Sequence, residues 1–415
     1  MRILFVAMMG SLHTQRWLEH IIQQGWDIHI FPVATPRPLI HEGIHDVTVH
    51  DLVYRISRQE IRKTNLSIKF DGLYWPWLKY IKKFPLTSRM INVSMSRITK
   101  QWPDRAWRLA QTIKRLQPDI IHSLEMQHSG YLTMEARKIL KQENANFDFP
   151  TWVVSNWGSD IYLFGQLPEH AKKIRAMLQV STHYLCECQR DVELGQQFGF
   201  QGDVLPVLPV AGGHDLKRMR QLREPGPRSE KKLIMLKGYQ NWAGRALTGL
   251  LALELCADLL REKQYEIAIY LYQDDVKLAA ELLALRAGIQ IHLIPYGPHD
   301  EILKLHGRAR ISIGLSISDA ISTSFLEAIM MGSFPIQSNT SCCNEWIENG
   351  KTGMIVPAED QNLIAEAIRI ALTDDELVNR ATEINDRTVN GSLDFAIIQP
   401  QVVNLYQRVY SQTKP

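Results

Sequence analysis

Two acidic residues enclose a polar turn and the start of a predicted helix in the C-terminal half of the chain. Asp319 follows the apolar run 311–317, and Glu327 lies one turn into the helix. A helix start offers unpaired backbone N–H groups and a positive dipole end, which suit a phosphate. Carboxylates accept hydrogen bonds from sugar hydroxyls, so the stretch suits a sugar attached to a phosphate. Alternatively, Ser324 and Glu327 form a capping box that needs no ligand.

Two permanent cations lie in the turn that follows the first predicted strand of the second domain. Lys237 comes directly after the predicted strand 233–236, and Arg245 ends the polar turn that begins at Lys237. Ligands of parallel α/β sheets bind beyond the C-terminal ends of the strands. There, a Lys and an Arg can together neutralise a diphosphate as it leaves. The alternative is two solvated loop cations.

The N-terminal half offers two further sets of polar residues at predicted strand ends. Asp160 follows the predicted strand 151–155 and either reaches a substrate or caps a helix. The turn from Gly10 to His13 follows the predicted strand 2–7. This turn has a single glycine, so the dinucleotide fingerprint G-x-G-x-x-G is absent and a nicotinamide cofactor is not favoured.

Strand–helix alternation positions these residues, and it occurs twice. It begins at Arg2 and restarts at Leu233, after the polar stretch QLREPGPRSEKK. Such alternation predicts parallel sheets with right-handed crossovers. The predicted fold class is α/β, with two Rossmann-like doubly wound domains facing each other across a cleft. The predicted divisions are an N-terminal domain 1–214, a linker 215–232, a C-terminal domain 233–395 and a final helix 396–415 that packs back on the N-terminal domain.

Positive charge is concentrated in one region, although the net charge of the 415 residues is only +3. Residues 55–115 hold fifteen Lys or Arg and three acidic residues, with many aromatic residues among them. This mixture predicts contact with an anionic membrane surface. Alternatively, the region is a helical insertion whose charged side chains face solvent and whose few aromatic side chains are buried. Nucleic acid is not favoured, because no recognition motif accompanies the charge.

Cysteine content and hydropathy predict where the protein resides. The five cysteines are an odd number without zinc-binding spacing, which indicates reduced thiols. Neither a signal peptide nor an apolar run of about 18 residues is recognisable. We therefore expect a cytoplasmic protein that is peripheral to the inner face of the cell membrane.

The C-terminal half resembles the retaining glycosyltransferases of family 4, which have the GT-B fold. The resemblance rests on Asp319, seven intervening residues, Glu327, and then the run Ala328–Ile336. It implies that Asp319 contacts the donor sugar's hydroxyls and Glu327 the nucleotide ribose, while backbone groups of Ile321, Ser322 and Thr323 hold the diphosphate. Most members carry Glu in place of Asp319 and a G-F-G sequence where this chain has Ala-Ile-Ser.

Other motifs extend the resemblance to nearly the whole chain. Lys237 and Arg245 match the family's phosphate-binding cations in exchanged order, and Trp157-Gly-Ser-Asp160 resembles its H-G-x-D motif with Trp157 in place of the histidine. The predicted catalytic residues are Asp319, Lys237, Arg245 and Asp160. The predicted donor-binding residues are Glu327, Ile321, Ser322, Thr323, Ser324 and Tyr296. The predicted acceptor-binding residues are Gly10, Ser11, His13 and Arg16.

The resemblance implies transfer of a sugar from a nucleotide-diphosphate donor with retention at the anomeric carbon. No cofactor is expected beyond this co-substrate, and no metal, because fixed cations face the leaving group and no D-x-D motif occurs at a plausible strand end. The expected acceptor is a glycan or lipid-linked glycan, as for enzymes of bacterial surface polysaccharides such as lipopolysaccharide. A sugar-nucleotide epimerase of the same architecture and a non-catalytic sugar-nucleotide-binding subunit remain as alternatives.

Overall fold

The structure is a computed structural model, and it contains two compact units. It describes five segments of the chain, 1–33, 43–50, 68–71, 105–209 and 213–413. Unit 1 comprises Met1–Ala211 and Gln399–Pro415, and unit 2 comprises Gly212–Ile398.

The described residues of unit 1 form an eight-stranded parallel sheet with the order β4-β3-β2-β1-β5-β6-β7-β8. The strands are β1 Arg2–Ala7, β2 Asp27–Pro32, β3 Thr48–Val49, β4 Lys69–Phe70, β5 Ile120–Leu124, β6 Thr151–Ser155, β7 His183–Leu185 and β8 Asp203–Val204. Their central members are buried and mostly apolar, as is usual for parallel strands covered on both faces. The winding direction reverses between β1 and β5, which makes this pair the topological switch point of the sheet.

In the described residues up to 209, unit 1 has five α-helices. They are α1 Leu12–Glu19, α2 Arg105–Leu116, α3 Tyr131–Glu143, α4 Pro168–Leu178 and α5 Gln189–Gln197. Most of the predicted basic and aromatic segment, including residues 72–104, lies outside the described residues. Its last part is helix α2, whose Leu109 and Ile113 are buried in the core of unit 1.

Unit 2 has a six-stranded parallel sheet with the order β11-β10-β9-β12-β13-β14. Its strands are β9 Leu233–Lys237, β10 Glu266–Tyr270, β11 Gln290–Ile294, β12 Ala309–Gly314, β13 Phe334–Ser338 and β14 Met354–Val356. This is the 3-2-1-4-5-6 order of a Rossmann sheet, with its switch point between β9 and β12. The predicted pair of Rossmann-like doubly wound domains is therefore confirmed.

The helices of unit 2 alternate with its strands as predicted, except that one predicted helix is divided into two. They are α6 Leu216–Gln221, α7 Ala246–Leu255, α8 Ala257–Glu262, α9 Asp274–Ala287, α10 His299–Arg308, α11 Thr323–Met330, α12 Gln361–Thr373 and α13 Asp375–Ser392. The sequence predicts one helix over 246–262, but Cys256, at φ −103° and ψ 8°, separates α7 from α8. The apolar run continues across this break, so hydrophobicity alone does not mark it.

The segment predicted as a linker, 215–232, is folded into unit 2. It contains helix α6 and a turn of 3₁₀-helix, Arg228–Glu230. Arg228 is buried, and its guanidinium donates hydrogen bonds to the carbonyl oxygens of Gly307 and Ala309 at 2.9 and 2.8 Å. A buried guanidinium needs such acceptors, so these bonds fasten the segment to the sheet.

The last helix, α14 Phe395–Thr413, begins in unit 2 and continues in unit 1. Its Tyr406 is fully buried, and the hydroxyl accepts a hydrogen bond from the Trp17 indole at 2.7 Å. The same hydroxyl lies 2.6 Å from Nδ1 of His122 on β5. The helix is thereby bonded to the central strands of unit 1. Within the described segments, no helix has the length and apolar character required to cross a bilayer.

Candidate active site

Most of the predicted catalytic and donor-binding residues of unit 2 lie at the ends of β9 and β12, the two strands at the switch point, or on the loops and helix that follow them. The loop after β9 runs beside the loop after β12. Arg245 N donates to Leu315 O at 3.0 Å, and Ile317 N donates to Ala243 O at 2.9 Å. Adjacent parallel strands end at the same edge of a sheet, and these bonds hold the two loops together beyond that edge.

Lys237 is the last residue of β9 and is close to both predicted acids. Its Nζ lies 4.6 Å from the centroid of the Tyr239 ring, which suits a cation–π contact. Burial lowers the pKa of Lys237, whereas the negative charges of Asp319 and Glu327 act to raise it. The structure therefore brings Lys237, Asp319 and Glu327 into one electrostatic neighbourhood, as their positions in the sequence suggest.

The guanidinium of Arg245 is hydrogen-bonded to other groups of the protein. Its Nε donates to Glu359 Oε1 at 2.7 Å, and an Nη donates to the carbonyl oxygen of Gly244 at 2.9 Å. Gly244 itself is required here, because a Cβ at this position would lie 2.2 Å from the carbonyl oxygen of Tyr239. Glu359 is largely exposed, so a competing anion can reach the ion pair from solvent.

The start of helix α11 has the features of an anion-binding terminus. The N-cap is Ser322, whose hydroxyl pairs with Ser324 Oγ at 3.0 Å instead of capping the helix. The first turn contains no acidic residue, and in the described part of the chain the backbone N–H groups of Thr323 and Ser324 have no acceptor. Ile321 buries its side chain, which leaves its backbone as the group able to contact a ligand.

The alternative capping box is not formed. Ser324 lies inside the helix, and the carboxylate of Glu327 is directed to another element. Glu327 is 5% exposed, and its Oε1 accepts a hydrogen bond from Nε2 of His299 at 2.8 Å. His299 was missed by sequence reasoning, since it lies on a different helix, 28 residues away from Glu327.

Asp319 and Tyr296 have different surroundings from Glu327. Asp319 is half-buried, and its Oδ1 accepts a hydrogen bond from the backbone of Ala320 at 3.0 Å. Tyr239 has a raised pKa, first because of burial and then because of the charge on Asp319. Tyr296 lies after the edge strand β11 and is 96% exposed. No contact joins its side chain to the other predicted donor residues within the described segments.

Asp160, predicted as catalytic, joins two turns of unit 1. Its Oδ2 accepts hydrogen bonds from the backbone N–H groups of Trp157 and Met126, both at 2.9 Å. Burial raises the pKa of Asp160, and the nearby charge of Glu125 raises it further. These bonds order the turns after β5 and β6, and the catalytic role of Asp160 stays a prediction.

An acid and a histidine that sequence reasoning missed follow β5. Glu125 has a φ of +89°, and its buried carboxylate accepts hydrogen bonds from the backbone N–H groups of His128 and Ser129. The His128 imidazole is largely exposed, and its Nδ1 lies 3.2 Å from Glu125 Oε2. This hydrogen bond raises the pKa of His128. A strained residue before a π-helical turn, here Met126–Gly130, is a feature seen at functional sites.

The predicted acceptor residues lie on the turn after β1, at the switch point of unit 1. Ser11 is the N-cap of α1, and its Oγ accepts a hydrogen bond from His13 N at 3.2 Å. The His13 imidazole packs against the Trp157 ring, with 5.7 Å between centroids. Gly10 precedes the helix and Arg16 lies in its last turn. Unit 1 thus brings His13 next to the turn that holds Trp157 and Asp160.

Two family models match the sequence. The model described as "Glycosyl transferases group 1" covers residues 250–387, and the one described as "Glycosyl transferase 4-like" covers residues 82–187. No curated protein gives a significant match.

Solved structures share the fold over nearly the entire chain at low sequence identity. A sucrose-phosphate synthase from Thermosynechococcus elongatus is 15% identical, with a TM-score of 0.66 and 99% of each chain covered. Alr3699/HepE from Anabaena, in complex with UDP-glucose, is 11% identical, with a TM-score of 0.64 and coverage of 98% of this chain and 99% of that one. The lipopolysaccharide outer core galactosyltransferase WaaB, in its apo form, is 13% identical, with a TM-score of 0.63 and the same coverage. These likenesses establish the architecture.

Proposed function

Because the chain is a family 4-type glycosyltransferase with the GT-B fold, we propose that it transfers a sugar from a nucleoside diphosphate sugar to a glycan or lipid-linked glycan, with retention of configuration and without a metal. The observation that carries this proposal is the grouping of Lys237, Asp319, Glu327 and the start of α11 at the switch point of unit 2. The complex of Anabaena HepE with UDP-glucose supports the choice of donor class.

The diphosphate of the donor would lie at the start of α11. The N–H groups of Thr323 and Ser324 and the positive helix end suit its oxygens. Lys237 adds a point charge from the end of β9. Arg245 would leave Glu359 and give its planar fork to the phosphate, which offers more negative charge than one exposed carboxylate. These fixed groups stabilise charge that develops on the leaving diphosphate, so no metal is needed for that task.

The two acids of the donor site would have separate partners. Following the resemblance, Asp319 accepts hydrogen bonds from hydroxyls of the transferred sugar, and Glu327 accepts them from the ribose. Retention would proceed by attack on the same face from which the diphosphate leaves, without a protein nucleophile. Asp160, which is bonded to the main chain, would order the turn of Trp157 rather than attack the sugar.

The acceptor would bind to unit 1, with Gly10, Ser11, His13 and Arg16 as its contacts. The likeness to the lipopolysaccharide galactosyltransferase WaaB supports a bacterial surface glycan as the acceptor class. We infer that the protein is cytoplasmic and reaches such an acceptor at an anionic membrane through the basic, aromatic segment 55–116. Cosedimentation with vesicles containing anionic lipid at low salt tests this step, and failure to bind them would reject it.

Product analysis tests the reaction and separates it from the alternatives. The protein is incubated with each of a panel of nucleotide sugars, with and without a lipid-linked glycan fraction, in the presence of EDTA. The proposal predicts nucleoside diphosphate release that increases with acceptor, together with an α-linked product from an α-linked donor. A sugar altered without any acceptor would identify an epimerase. Donor binding with no turnover under any condition would identify a non-catalytic subunit.

A further inference from the structure

We propose that His299 positions the carboxylate of Glu327 for the ribose of the donor, and so contributes to recognition of a ribonucleotide. The inference rests on the proposed function, because it assigns a second residue to the same nucleotide site. It is carried by the hydrogen bond of 2.8 Å from His299 Nε2 to Glu327 Oε1.

The fold brings His299 to Glu327 through the packing of α10 against α11. Pro298 ends the preceding loop with φ −56° and ψ 137°, and α10 begins at His299. Leu303 and His306 follow at helical spacing on the same face of α10, and both are buried. This buried face fixes the rotation of the helix. His299 is consequently held at the rim of the site, where its side chain is 42% exposed.

A carboxylate as buried as that of Glu327 requires a hydrogen-bond donor. Burying an unpaired charge is costly, and an uncompensated carboxylate would move toward another donor or take up a proton. The bond from His299 fixes Oε1 and thereby the plane of the carboxylate, which determines where a ribose hydroxyl can donate. Preorganised orientation of this kind increases affinity by lowering the cost of ordering the site on binding.

The second histidine considered on α10, His306, has a different hydrogen-bond partner. His306 Nδ1 lies 2.8 Å from Ser312 Oγ, so this imidazole is tied to β12. Burial lowers the pKa of His306 to about 4, which keeps its ring neutral at physiological pH. His306 is thus bonded to β12, whereas His299 makes a direct hydrogen bond to Glu327.

The test compares binding of a ribonucleotide and of its deoxy counterparts. The nucleoside diphosphate that binds most tightly among UDP, GDP, ADP and CDP is titrated calorimetrically, followed by its 2′-deoxy and 3′-deoxy forms. For His299→Ala we expect affinity for the ribonucleotide to fall by about tenfold, the size of one lost oriented hydrogen bond. Affinity for the form that lacks the contacted hydroxyl should change by less than about twofold.

Two further variants separate positioning from a general loss of structure. His299→Gln keeps a side-chain N–H and should restore most of the affinity. His292→Ala is the matched control, because His292 is also about half exposed and also contacts a glutamate, Glu266, at 3.2 Å. It lies within strand β11, away from the switch point, so the affinity should stay at the wild-type value.

A double-mutant cycle completes the test. In a Glu327→Gln background, His299→Ala should cause little additional loss, because the two residues act as one unit. Equal weakening of the ribonucleotide and the deoxy forms, or no weakening at all, would overturn the inference while leaving the proposed function intact. If the wild-type protein binds none of the four nucleoside diphosphates, the proposed function fails and the inference fails with it.

Discussion

At the scale of single residues, the donor site of unit 2 consists of charged groups whose surroundings differ. Glu327 is buried and held by a histidine, Asp319 is half-buried, and Arg245 is paired with an exposed acid. Lys237 has a pKa lowered by burial and raised again by the two acids. A diphosphate would add negative charge beside Lys237 and favour its protonated form further.

Glu359 is expected to compete with the donor for Arg245. Glu359→Gln removes the competing charge and leaves the guanidinium available, so we expect nucleoside diphosphate affinity to rise by roughly two- to fivefold, in keeping with the small energies of exposed ion pairs. The increase should be largest at low salt, where screening is weakest. Calorimetric titration at two salt concentrations measures it. Weaker binding by Glu359→Gln would show that Glu359 instead positions Arg245 for the ligand.

The pKa of His128 is expected to be raised above the ordinary histidine value, because Glu125 accepts a hydrogen bond from its imidazole. With a raised folded-state pKa, the pair stabilises the fold fully below the unfolded pKa of about 6.5, and this contribution disappears as the pH rises through the folded-state pKa. NMR titration of the His128 ring protons measures the midpoint directly. A midpoint at or below about 6.5 would contradict the contact.

Sequence reasoning at this scale identified residues at strand ends and missed their partners. Lys237, Asp319 and Glu327 follow apolar runs, so their place at the sheet edge is predictable from hydrophobic patterning. His299 and His128 have no such signal. Their contacts depend on how α10 packs against α11 and on a left-handed backbone at Glu125, which spacing along the chain does not encode.

At the scale of elements, apolar runs predicted strands well where both faces are buried. Strand β6 has the predicted bounds, Thr151–Ser155. Glycine also predicts the end of helix α11, because the turn after it contains Gly332 at φ +80°. The apolar run after Asp203 favours a strand over 203–210, but among the described residues 203–209 only Asp203–Val204 pair at the edge of the sheet. An edge strand lacks a second neighbour, so its length depends on tertiary pairing more than on its sequence.

The last helix supplies an element-scale prediction through Tyr406. Tyr406→Phe removes the acceptor of the Trp17 indole N–H and the partner of His122, and it leaves both polar groups buried. We expect a loss of about 1–3 kcal/mol in local stability, the usual cost of an unsatisfied buried group. Because the chain has two units, hydrogen exchange of β1 and β5 is a better measure than one global transition.

The control for this substitution is Tyr296→Phe, which makes the same chemical change at a residue that is 96% exposed. Its effect on stability should stay within about 0.5 kcal/mol, as for most surface substitutions. Equal exchange protection of β1 and β5 in Tyr406→Phe and in the wild type would contradict the role given to this hydroxyl.

At the scale of the whole molecule, each of the two Rossmann-like units has its candidate site residues in the segments that follow the two central strands of its sheet. In unit 1 these loops carry Gly10–Arg16 and Glu125–His128, and in unit 2 they carry Lys237–Arg245 and Asp319–Glu327. The duplication was predictable from strand–helix alternation, because each strand and helix has its own hydrophobic period. The attachment of segment 215–232 to unit 2 was not predictable, because an arginine in a polar stretch is expected at the surface and Arg228 is buried.

The most direct test of the account is calorimetric titration of the wild-type protein and of Lys237→Ala with a panel of nucleoside diphosphate sugars in EDTA. We predict that the wild type binds at least one donor without a metal, and that Lys237→Ala weakens this binding by about tenfold or more through loss of a charge-assisted contact. Absence of binding to every donor, dependence on a divalent metal, or unchanged affinity in Lys237→Ala would contradict the assignment of the donor site.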